Sequence, residues 1–207
     1  MKKIIILFTG FLFFSLNTYA APDRTGQWDM GIKIGGALPA STQGSNVTYL
    51  GGDFAYGINN WAAVGASTGW TDAKLRTVNG RGVEINGGKY GMLPLFLDII
   101  YRAPTPAHYD YLSPYGVLGI GTVVTHKLST QDLANYNLGS KVNSGLAFKL
   151  GLGLDWFLNT NWIFNMELNY VFSGVTVDIV NTGTNATIDS KDLDYLYIGV
   201  GSKYLFS

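Results

Sequence analysis

The last third of the chain alternates large apolar residues with small or polar ones, and this alternation restricts the fold more than any other feature. Large apolar residues take almost every second position in the segments 146–158, 162–172 and 196–206. Successive side chains of a β-strand point to opposite faces, so each segment is predicted to be a two-sided strand. The residues between them are mostly Gly, Ala and Asn with few charges. This pattern fits a barrel with a cramped interior and an outer surface that contacts hydrocarbon.

The N-terminus has the pattern of a secretory signal peptide. Lys2 and Lys3 precede the apolar run 4–16, and small residues follow up to Ala20. We therefore expect residues 1–20 to be a signal peptide that directs export and is then removed. No later stretch approaches the roughly 18 apolar residues of a spanning helix, so the exported chain is expected to cross a membrane as strands.

The remaining residues, 21–207, are predicted to form one outer-membrane β-barrel domain. The two lysines of the signal peptide leave 12 of the 14 basic residues against 14 acidic ones, so the chain has no basic surface for nucleic acid. It contains no cysteine, which excludes disulfides and cysteine-bearing metal sites. Its 27 glycines fit small residues in a narrow lumen, and its 5 Trp, 13 Tyr and 11 Phe fit aromatic girdles.

Eight strands are predicted, joined by breaks that alternate between long and short. The strands lie at about 27–38, 47–58, 61–71, 89–102, 111–125, 146–158, 162–172 and 195–206. The long breaks are 39–46, 72–88, 127–143 and 178–191, and the shorter ones are 59–60, 103–110 and 159–161. Outer-membrane barrels have an even strand number, short periplasmic turns and longer external loops. The predicted fold is therefore an all-β, eight-stranded antiparallel up-and-down transmembrane β-barrel.

Several of these segments resemble the OmpW family of small outer-membrane barrels. The likeness lies in Leu93-Pro94, in the segments 113–121 and 151–159, in Asn161-Trp162, and in the ending 198–206. It covers the chain from Leu93 to the C-terminus.

The resemblance implies an eight-stranded barrel that passes small hydrophobic molecules passively through a narrow channel. It also implies that the barrel assembly machinery recognises the C-terminal strand. Two positions differ from the family pattern. Leu193-Asp194-Tyr195 stands where the family usually has Asp-Pro-Trp, and Ser207 follows Phe206, where the family usually ends in Phe.

Seven charged residues fall on the face that the alternation turns inward, and we interpret them as a polar network in the lumen. They are Lys33, Asp53, Asp98, Lys149, Asp155, Glu167 and Lys203. They either fill and stabilise a barrel barely wide enough for its own side chains, in which buried charges must pair, or form a polar constriction or gate. The sequence leaves both readings open. Lys149 and Glu167 are expected to belong to one ion-pair network.

Aromatic residues on the outward face are predicted to form girdles at the edges of the lipid, which would be the barrel's main partner. They are Trp28, Trp156, Trp162, Tyr170, Phe172, Tyr204 and Phe206.

Two prolines, Pro94 and Pro114, lie inside predicted strands. Proline has no N–H to donate to a β-ladder, and a closed barrel has no edge strand that would tolerate it. Each proline therefore marks a possible lateral opening toward lipid, with Pro94 the better candidate. The alternative is that each merely begins the regular part of its strand.

Enzymatic and metal-binding functions find little support in the sequence, and we expect no enzyme, no metal and no cofactor. His108 and His126 are the only histidines, and neither has carboxylates at metal-site spacing. His126 and Ser129 do not match the His-x-Ser-Asn run of lipid-modifying outer-membrane hydrolases. Two further alternatives remain: a structural or adhesive surface barrel with a closed lumen, and a soluble lipocalin-like barrel with its large residues turned inward.

Overall fold

The structure is a computed structural model. It describes residues 23–39, 47–78, 84–103, 111–129 and 131–206. The predicted signal peptide, His108 and Ser207 lie outside the described residues.

The described residues form eleven strands and one short helix. In chain order they are β1 (Trp28–Pro39), β2 (Val47–Gly57), β3 (Ala62–Val78), β4 (Glu84–Arg102), β5 (Leu112–Ser129), α1 (Gln131–Asn135), β6 (Leu138–Asn143), β7 (Leu146–Phe157), β8 (Trp162–Phe172), β9 (Thr176–Asn181), β10 (Thr187–Asp192) and β11 (Tyr195–Phe206). None of the described helices is long and apolar enough to cross a membrane.

Eight of the strands close an antiparallel barrel, and the predicted fold class is confirmed. The order around the barrel is β1-β11-β8-β7-β5-β4-β3-β2. The first and last strands pair continuously, from Trp28 opposite Phe206 to Pro39 opposite Tyr195. Closure supplies backbone hydrogen-bond partners to strands that would otherwise be edges, as a barrel in lipid requires.

The side-chain facing follows the predicted alternation. Leu152 on β7, Ile32 on β1 and Leu97 on β4 are all on the outside, with 67%, 72% and 68% of their surface exposed. The soluble alternative, in which the large residues turn inward, is excluded by this arrangement. A surface of exposed Leu, Ile and Phe around the whole barrel requires lipid rather than water.

Tight hairpins close one end of the barrel, which we call the turn end. Asn59 accepts hydrogen bonds on Oδ1 from the amides of Trp61 and Ala62, at 2.8 and 2.7 Å. Asn159 does the same for Asn161 and Trp162, at 2.9 and 2.8 Å. These side-chain contacts hold the chain in a reversal and explain the short breaks at 59–60 and 159–161.

At the opposite end, which we call the loop end, two of the predicted long loops contain regular structure. Segment 127–143 contains α1 and β6, and segment 178–191 contains part of β9 and most of β10. The three short strands form a separate sheet in the order β10-β9-β6. The predicted loop 72–88 is also wrong in extent, because β3 continues to Val78 and β4 begins at Glu84. In these parts the positions away from the interior are polar, as at Lys74 and Asp178, so the outward apolar residues that mark a spanning strand are absent from them.

A buried apolar cluster connects the loop half of the barrel interior to this small sheet. Among its members are Tyr49, Phe96, Tyr195 and Tyr197 inside the barrel and Leu133, Leu138, Val177 and Ile179 from α1, β6 and β9. The interior of the barrel is thus apolar toward the loop end. Toward the turn end it is charged.

Candidate functional site

Glycines on the inner face give room to large side chains that cross the lumen. A side chain at Gly153 would overlap the ring of Tyr115, and one at Gly69 would overlap the ring of Tyr49. Because an eight-stranded barrel is so narrow, the rings of Tyr49, Tyr115 and Tyr197 each lie over a position without a Cβ. The small residues of the inward set therefore accommodate the tyrosines and charged side chains that fill the lumen.

A continuous chain of ion pairs crosses the lumen in its turn half. Arg24 contacts Asp155 at 2.8 Å, and Asp155 contacts Lys203 at 3.4 Å. Lys203 reaches Asp53 at 3.5 Å, and Asp53 reaches Lys33 at 3.2 Å. All five side chains are at most 8% exposed.

Glu167 ends this chain. It pairs with Lys33, accepts a hydrogen bond from Asn169, and accepts another from the Tyr115 hydroxyl at 3.3 Å. Asn165 donates to both the Tyr115 hydroxyl, at 2.9 Å, and Asp155, at 2.8 Å. The polar side chains thus brace one another across the lumen rather than facing open water.

Two further ion pairs lie next to this chain of ion pairs. Lys149 contacts Asp98 at 2.8 Å and donates to the Ser67 hydroxyl at 2.7 Å. Arg102 contacts Asp29 at 3.2 Å. The chain of ion pairs and these two pairs together contain five cations and five carboxylates. The cations are Arg24, Lys33, Arg102, Lys149 and Lys203, and the carboxylates are Asp29, Asp53, Asp98, Asp155 and Glu167. The group is electrically balanced, as burial requires.

All seven charged residues that the sequence singled out lie inside the barrel, and Lys149 and Glu167, which were expected to share a network rather than to pair directly, have different ion-pair partners. Lys149 pairs with Asp98, whereas Glu167 pairs with Lys33. The cause is geometric: β7 places Lys149 opposite Gly119 of β5, next to the β4 position of Asp98. The residue in the same row two strands away along the wall thus decides the pairing.

Sequence reasoning left three charged residues, Arg24, Asp29 and Arg102, out of the network. Asp29 lies on the inward phase of β1 and could have been included on that basis. Arg102 is the last residue of β4. Arg24 precedes β1, where no alternation gives its direction; its guanidinium lies 4.6 Å from the centre of the Phe157 ring.

The outward aromatic residues lie at both ends of the barrel. Trp28 stacks on Phe54 at 4.5 Å, and Trp162 meets Tyr204 at 5.1 Å, both near the turn end. Trp156 and Phe206 lie at this end as well. Tyr170 and Phe172 contact each other at 4.6 Å near the loop end. Trp61 and Trp70 are also exposed, 59% and 44%, and were missed because β3 has a diluted alternation.

A cavity lies above the charged part of the lumen, in its loop half. It is narrow, with room for about 20 Å³, roughly one water molecule, and it is partly open to solvent. Its polar side is formed by Lys33, Ser67, Lys149, Glu167 and Asn169, and its other side by Tyr49, Pro94, Phe96, Val171, Tyr195 and Tyr197. The cavity thus has a polar floor and mainly aromatic walls.

Pro94 is buried on the wall of this cavity, where one β-ladder is interrupted. β3 and β4 pair at Thr68 with Leu95 and again at Thr71 with Met92, but Gly69 and Trp70 have no partner on β4. The register is the same on both sides of the interruption. On its other flank Pro94 pairs with Val123 of β5. The interruption therefore lies only on the β3 side of Pro94.

Pro114 has a different setting. It faces outward near the start of β5, and pairing with β7 continues past it from Leu112 to Thr122. Its carbonyl accepts a hydrogen bond from the Ala103 amide at 2.8 Å. The backbone beside Pro114 is thus paired on both flanks, as expected for a proline at the start of a strand.

No part of the described chain groups three or more His, Cys, Asp or Glu side chains in a position to hold a metal ion. His126 and Ser129 are exposed on the part of β5 that extends beyond the pairing with β7.

Solved structures of outer-membrane barrels share this fold. The outer membrane protein OprG from Pseudomonas aeruginosa matches with a TM-score of 0.74 at 17% identity, over 90% of this chain and 98% of that one. The outer membrane protein AlkL matches with a TM-score of 0.57 at 18% identity, over 94% and 96%. Outer Membrane Protein W of E. coli matches with 0.51 at 17%, over 88% and 99%.

No protein-family model and no curated protein sequence matches the chain. At these identities the likeness shows the fold, which agrees with the OmpW-like fold expected from the sequence.

Proposed function

We propose that this protein is an outer-membrane barrel that lets small hydrophobic molecules enter from the loop end and leave sideways into lipid at Pro94. The observation that carries the proposal is the interruption of the β3–β4 ladder where Pro94 lines the cavity. Missing ladder pairs beside a mainly aromatic cavity make this the weakest part of the wall, and so the place where an apolar molecule would most readily reach hydrocarbon.

The charged half of the lumen argues against a route straight through the barrel. An apolar molecule moving from the cavity to the turn end would have to separate ion pairs such as Lys33 with Asp53 and Arg24 with Asp155. Breaking a buried pair costs about 3–5 kcal/mol when a partner is left uncompensated. A lateral exit avoids this cost because it starts above the charges.

The location and partners proposed for the protein follow from its surface. The outward band of Leu, Ile and aromatic side chains suits the outer membrane as the compartment and lipid as the partner. The terminal strand β11, which closes the barrel on β1, is the element for the assembly machinery to recognise. An enzymatic role is not part of the proposal, since an exposed His126 is poorly placed for a buried, oriented catalytic group.

The substitution Pro94→Val tests the lateral exit, because valine supplies the missing N–H and favours a strand. Vesicles with lipopolysaccharide in the outer leaflet would report entry of the apolar dye 1-N-phenylnaphthylamine by its fluorescence in lipid. We expect severalfold slower entry for Pro94→Val. Pro114→Val is the matched control and should behave as the wild type, because the ladder there is already paired.

Circular dichroism and the gel mobility of the unheated barrel would confirm folding of both variants. Unchanged dye entry in a correctly folded Pro94→Val barrel would disprove the lateral route. It would not affect the assignment of the fold.

A second candidate function is a surface barrel whose external parts bind a partner while the lumen stays closed. Two observations favour it: the balanced charges that fill the lumen, and the ordered sheet β10-β9-β6 at the loop end. The same assay separates the two functions, because a closed barrel gives no faster dye entry than vesicles without protein.

A further inference from the structure

The outer surface formed by β3, β4 and β5 changes from apolar to basic toward the loop end. Its exposed apolar side chains there are Trp70 of β3, Leu95 of β4 and Val124 of β5. Further along β3, Asp72 and Lys74 take the next two outward positions, since the residues between them and Trp70 are buried. Charged side chains therefore follow directly on the apolar surface of this wall.

Two lysines face each other at the end of this wall. Lys74 lies directly opposite Lys89 of β4 in the ladder. Side chains so placed share a face with their Cβ atoms about 4.5–5.5 Å apart, and like charges in this arrangement destabilise a sheet. Lys89 contacts Asp72 at 2.7 Å, which neutralises one of the two lysines. Lys74 is exposed and has no ion-pair partner among the described residues, so the pair keeps a positive charge.

His126 extends this group of side chains onto β5. Gly91 of β4 pairs with Asp72 on one flank and with His126 on the other, so the three positions form one row on the outer face. His126 is exposed and lies two strand spacings, about 10 Å, from Asp72. We call Asp72, Lys74, Lys89 and His126 the basic patch.

The small sheet at the same end of the barrel offers an anion no comparable attraction. Its strands carry three carboxylates, Asp178, Asp189 and Asp192, against the two lysines Lys141 and Lys191. An anionic head group is therefore attracted to the β3–β4 side of the loop end rather than to the sheet β10-β9-β6.

The order of groups along the wall matches an anionic lipid with its head toward the loop end. Leu95 and Val124 suit acyl chains, and tryptophan such as Trp70 is enriched where membrane meets water. Lysine binds phosphate as a point charge, and its long stem lets the ammonium reach a head group from beside the chains. Lipid A, the anchor of outer-leaflet lipopolysaccharide, carries two phosphates on a rigid pair of sugars. One phosphate can contact the lysine pair while the other accepts from His126.

We propose that the basic patch binds the phosphorylated sugar head of one lipid A molecule, with its acyl chains on the apolar surface beside Trp70. The bound phosphate relieves the repulsion between Lys74 and Lys89. The inference rests on the proposed outer-membrane location and specifies the lipid that lies against this wall. Trp70 is also one of the residues without a partner on β4, so the lipid would lie beside the interrupted ladder.

The test titrates diphosphoryl lipid A, phosphatidylglycerol and inorganic phosphate into the isotopically labelled barrel in phosphocholine micelles. The backbone amide resonance of Lys89 reports the head group, and the methyl resonances of Val124 report the acyl chains. We expect lipid A to shift both resonances saturably and to bind more tightly than either comparator. Added salt should weaken this binding, because the patch is exposed to solvent.

Lys74→Gln is the decisive variant, because it removes the unpaired cation and leaves the contact of Lys89 with Asp72 in place. It should weaken binding of diphosphoryl lipid A about fivefold, the effect of one lysine at an anionic lipid surface. Lys141→Gln removes an exposed lysine from the small sheet at the same end and is the matched control, with no expected change. Circular dichroism would verify that both variants are folded.

Each other outcome has a distinct meaning. Equal binding of phosphatidylglycerol would overturn the choice of lipid A, and inorganic phosphate that binds as tightly would overturn the choice of a lipid. Equal affinities of Lys74→Gln and Lys141→Gln for lipid A would overturn the site. None of these results affects dye entry at Pro94, which is measured separately. A barrel that does not insert into lipid at all would overturn the proposed function as well.

Discussion

At the scale of single residues, each side chain of a barrel strand points either to lipid or to the lumen, and this facing decides which residues its position tolerates. Leu152 is 67% exposed on the outside of β7, whereas its neighbour Gly151 is buried over the lumen. A substitution that suits one side is therefore damaging on the other.

Leu152→Arg should destabilise the barrel by about 2–4 kcal/mol, because the guanidinium would enter the hydrocarbon near its midplane. Leu158→Arg, just past the turn end of β7, should cost only about 0–1 kcal/mol because it lies near the interface. Urea unfolding in lipid vesicles, followed by tryptophan fluorescence, measures both. An unchanged midpoint for Leu152→Arg would contradict the assigned facing.

The pairing of Lys149 with Asp98 gives a second prediction at this scale. Lys149→Met should cost about 3–5 kcal/mol by leaving Asp98 buried without its cation. The double variant Lys149→Met, Asp98→Asn should cost less than the sum of its single changes, by about 0.5–3 kcal/mol.

The control cycle combines Lys149→Met with Asp29→Asn, since Asp29 pairs with Arg102. Those two changes share no partner, so their free energies of unfolding should add within about 0.5 kcal/mol. Additive behaviour of the Lys149 and Asp98 changes would disprove the pair.

At the scale of elements, the two asparagine-initiated turns set the register of the hairpins they close. The β7–β8 hairpin begins where the Asn159 side chain accepts two amide hydrogen bonds, and the β2–β3 hairpin begins in the same way at Asn59. A shift of the strand pairing by one residue would exchange the lipid and lumen faces of a strand. These turn contacts therefore fix the facing of every residue in the hairpin.

Asn159→Ala should destabilise the barrel by about 1 kcal/mol, since two partly solvated hydrogen bonds are lost. Asn159→Asp keeps the accepting oxygen and should be close to neutral. Thr160→Ala, in the same turn, is the control. Equal unfolding midpoints for Asn159→Ala and Thr160→Ala would show that the side chain does not support the turn.

At the scale of the whole molecule, the barrel is divided into a charged half and an aromatic half. The charged half closes the turn end with balanced pairs, and Arg24 joins it from outside the strands. The aromatic half continues into the sheet β10-β9-β6 through one apolar cluster. Any solute that enters from the loop end therefore meets an apolar surface first and a polar barrier second.

This arrangement predicts that the wild-type barrel passes no steady ion current in a planar bilayer. Replacing both Arg24 and Lys203 by alanine would leave Asp155 without its two cations and should produce a cation-selective leak. Circular dichroism would verify that the double variant is folded. A steady current through the wild type would contradict a sealed turn half.

The sequence by itself determined the spanning strands and the facing of those with a clear alternation. Period-two alternation is a local property, and lipid on one side and a narrow lumen on the other impose it on segments such as 146–158 and 162–172. The tight turns at Asn59 and Asn159 are local in the same way. The placement of the seven charged residues inside the barrel followed from the alternation alone.

Only the tertiary structure decided how those charges pair and where the ladder beside Pro94 is interrupted. Arg24 and Asp155 are 131 positions apart, and Lys33 and Glu167 are 134 apart, so no local pattern records these contacts. The interruption at Pro94 faces β3 rather than β5, which depends on the pairing of three strands. In the sheet β10-β9-β6, β9 and β10 form a local hairpin, but the pairing of β6 with β9 joins loops that only closure of the barrel brings together.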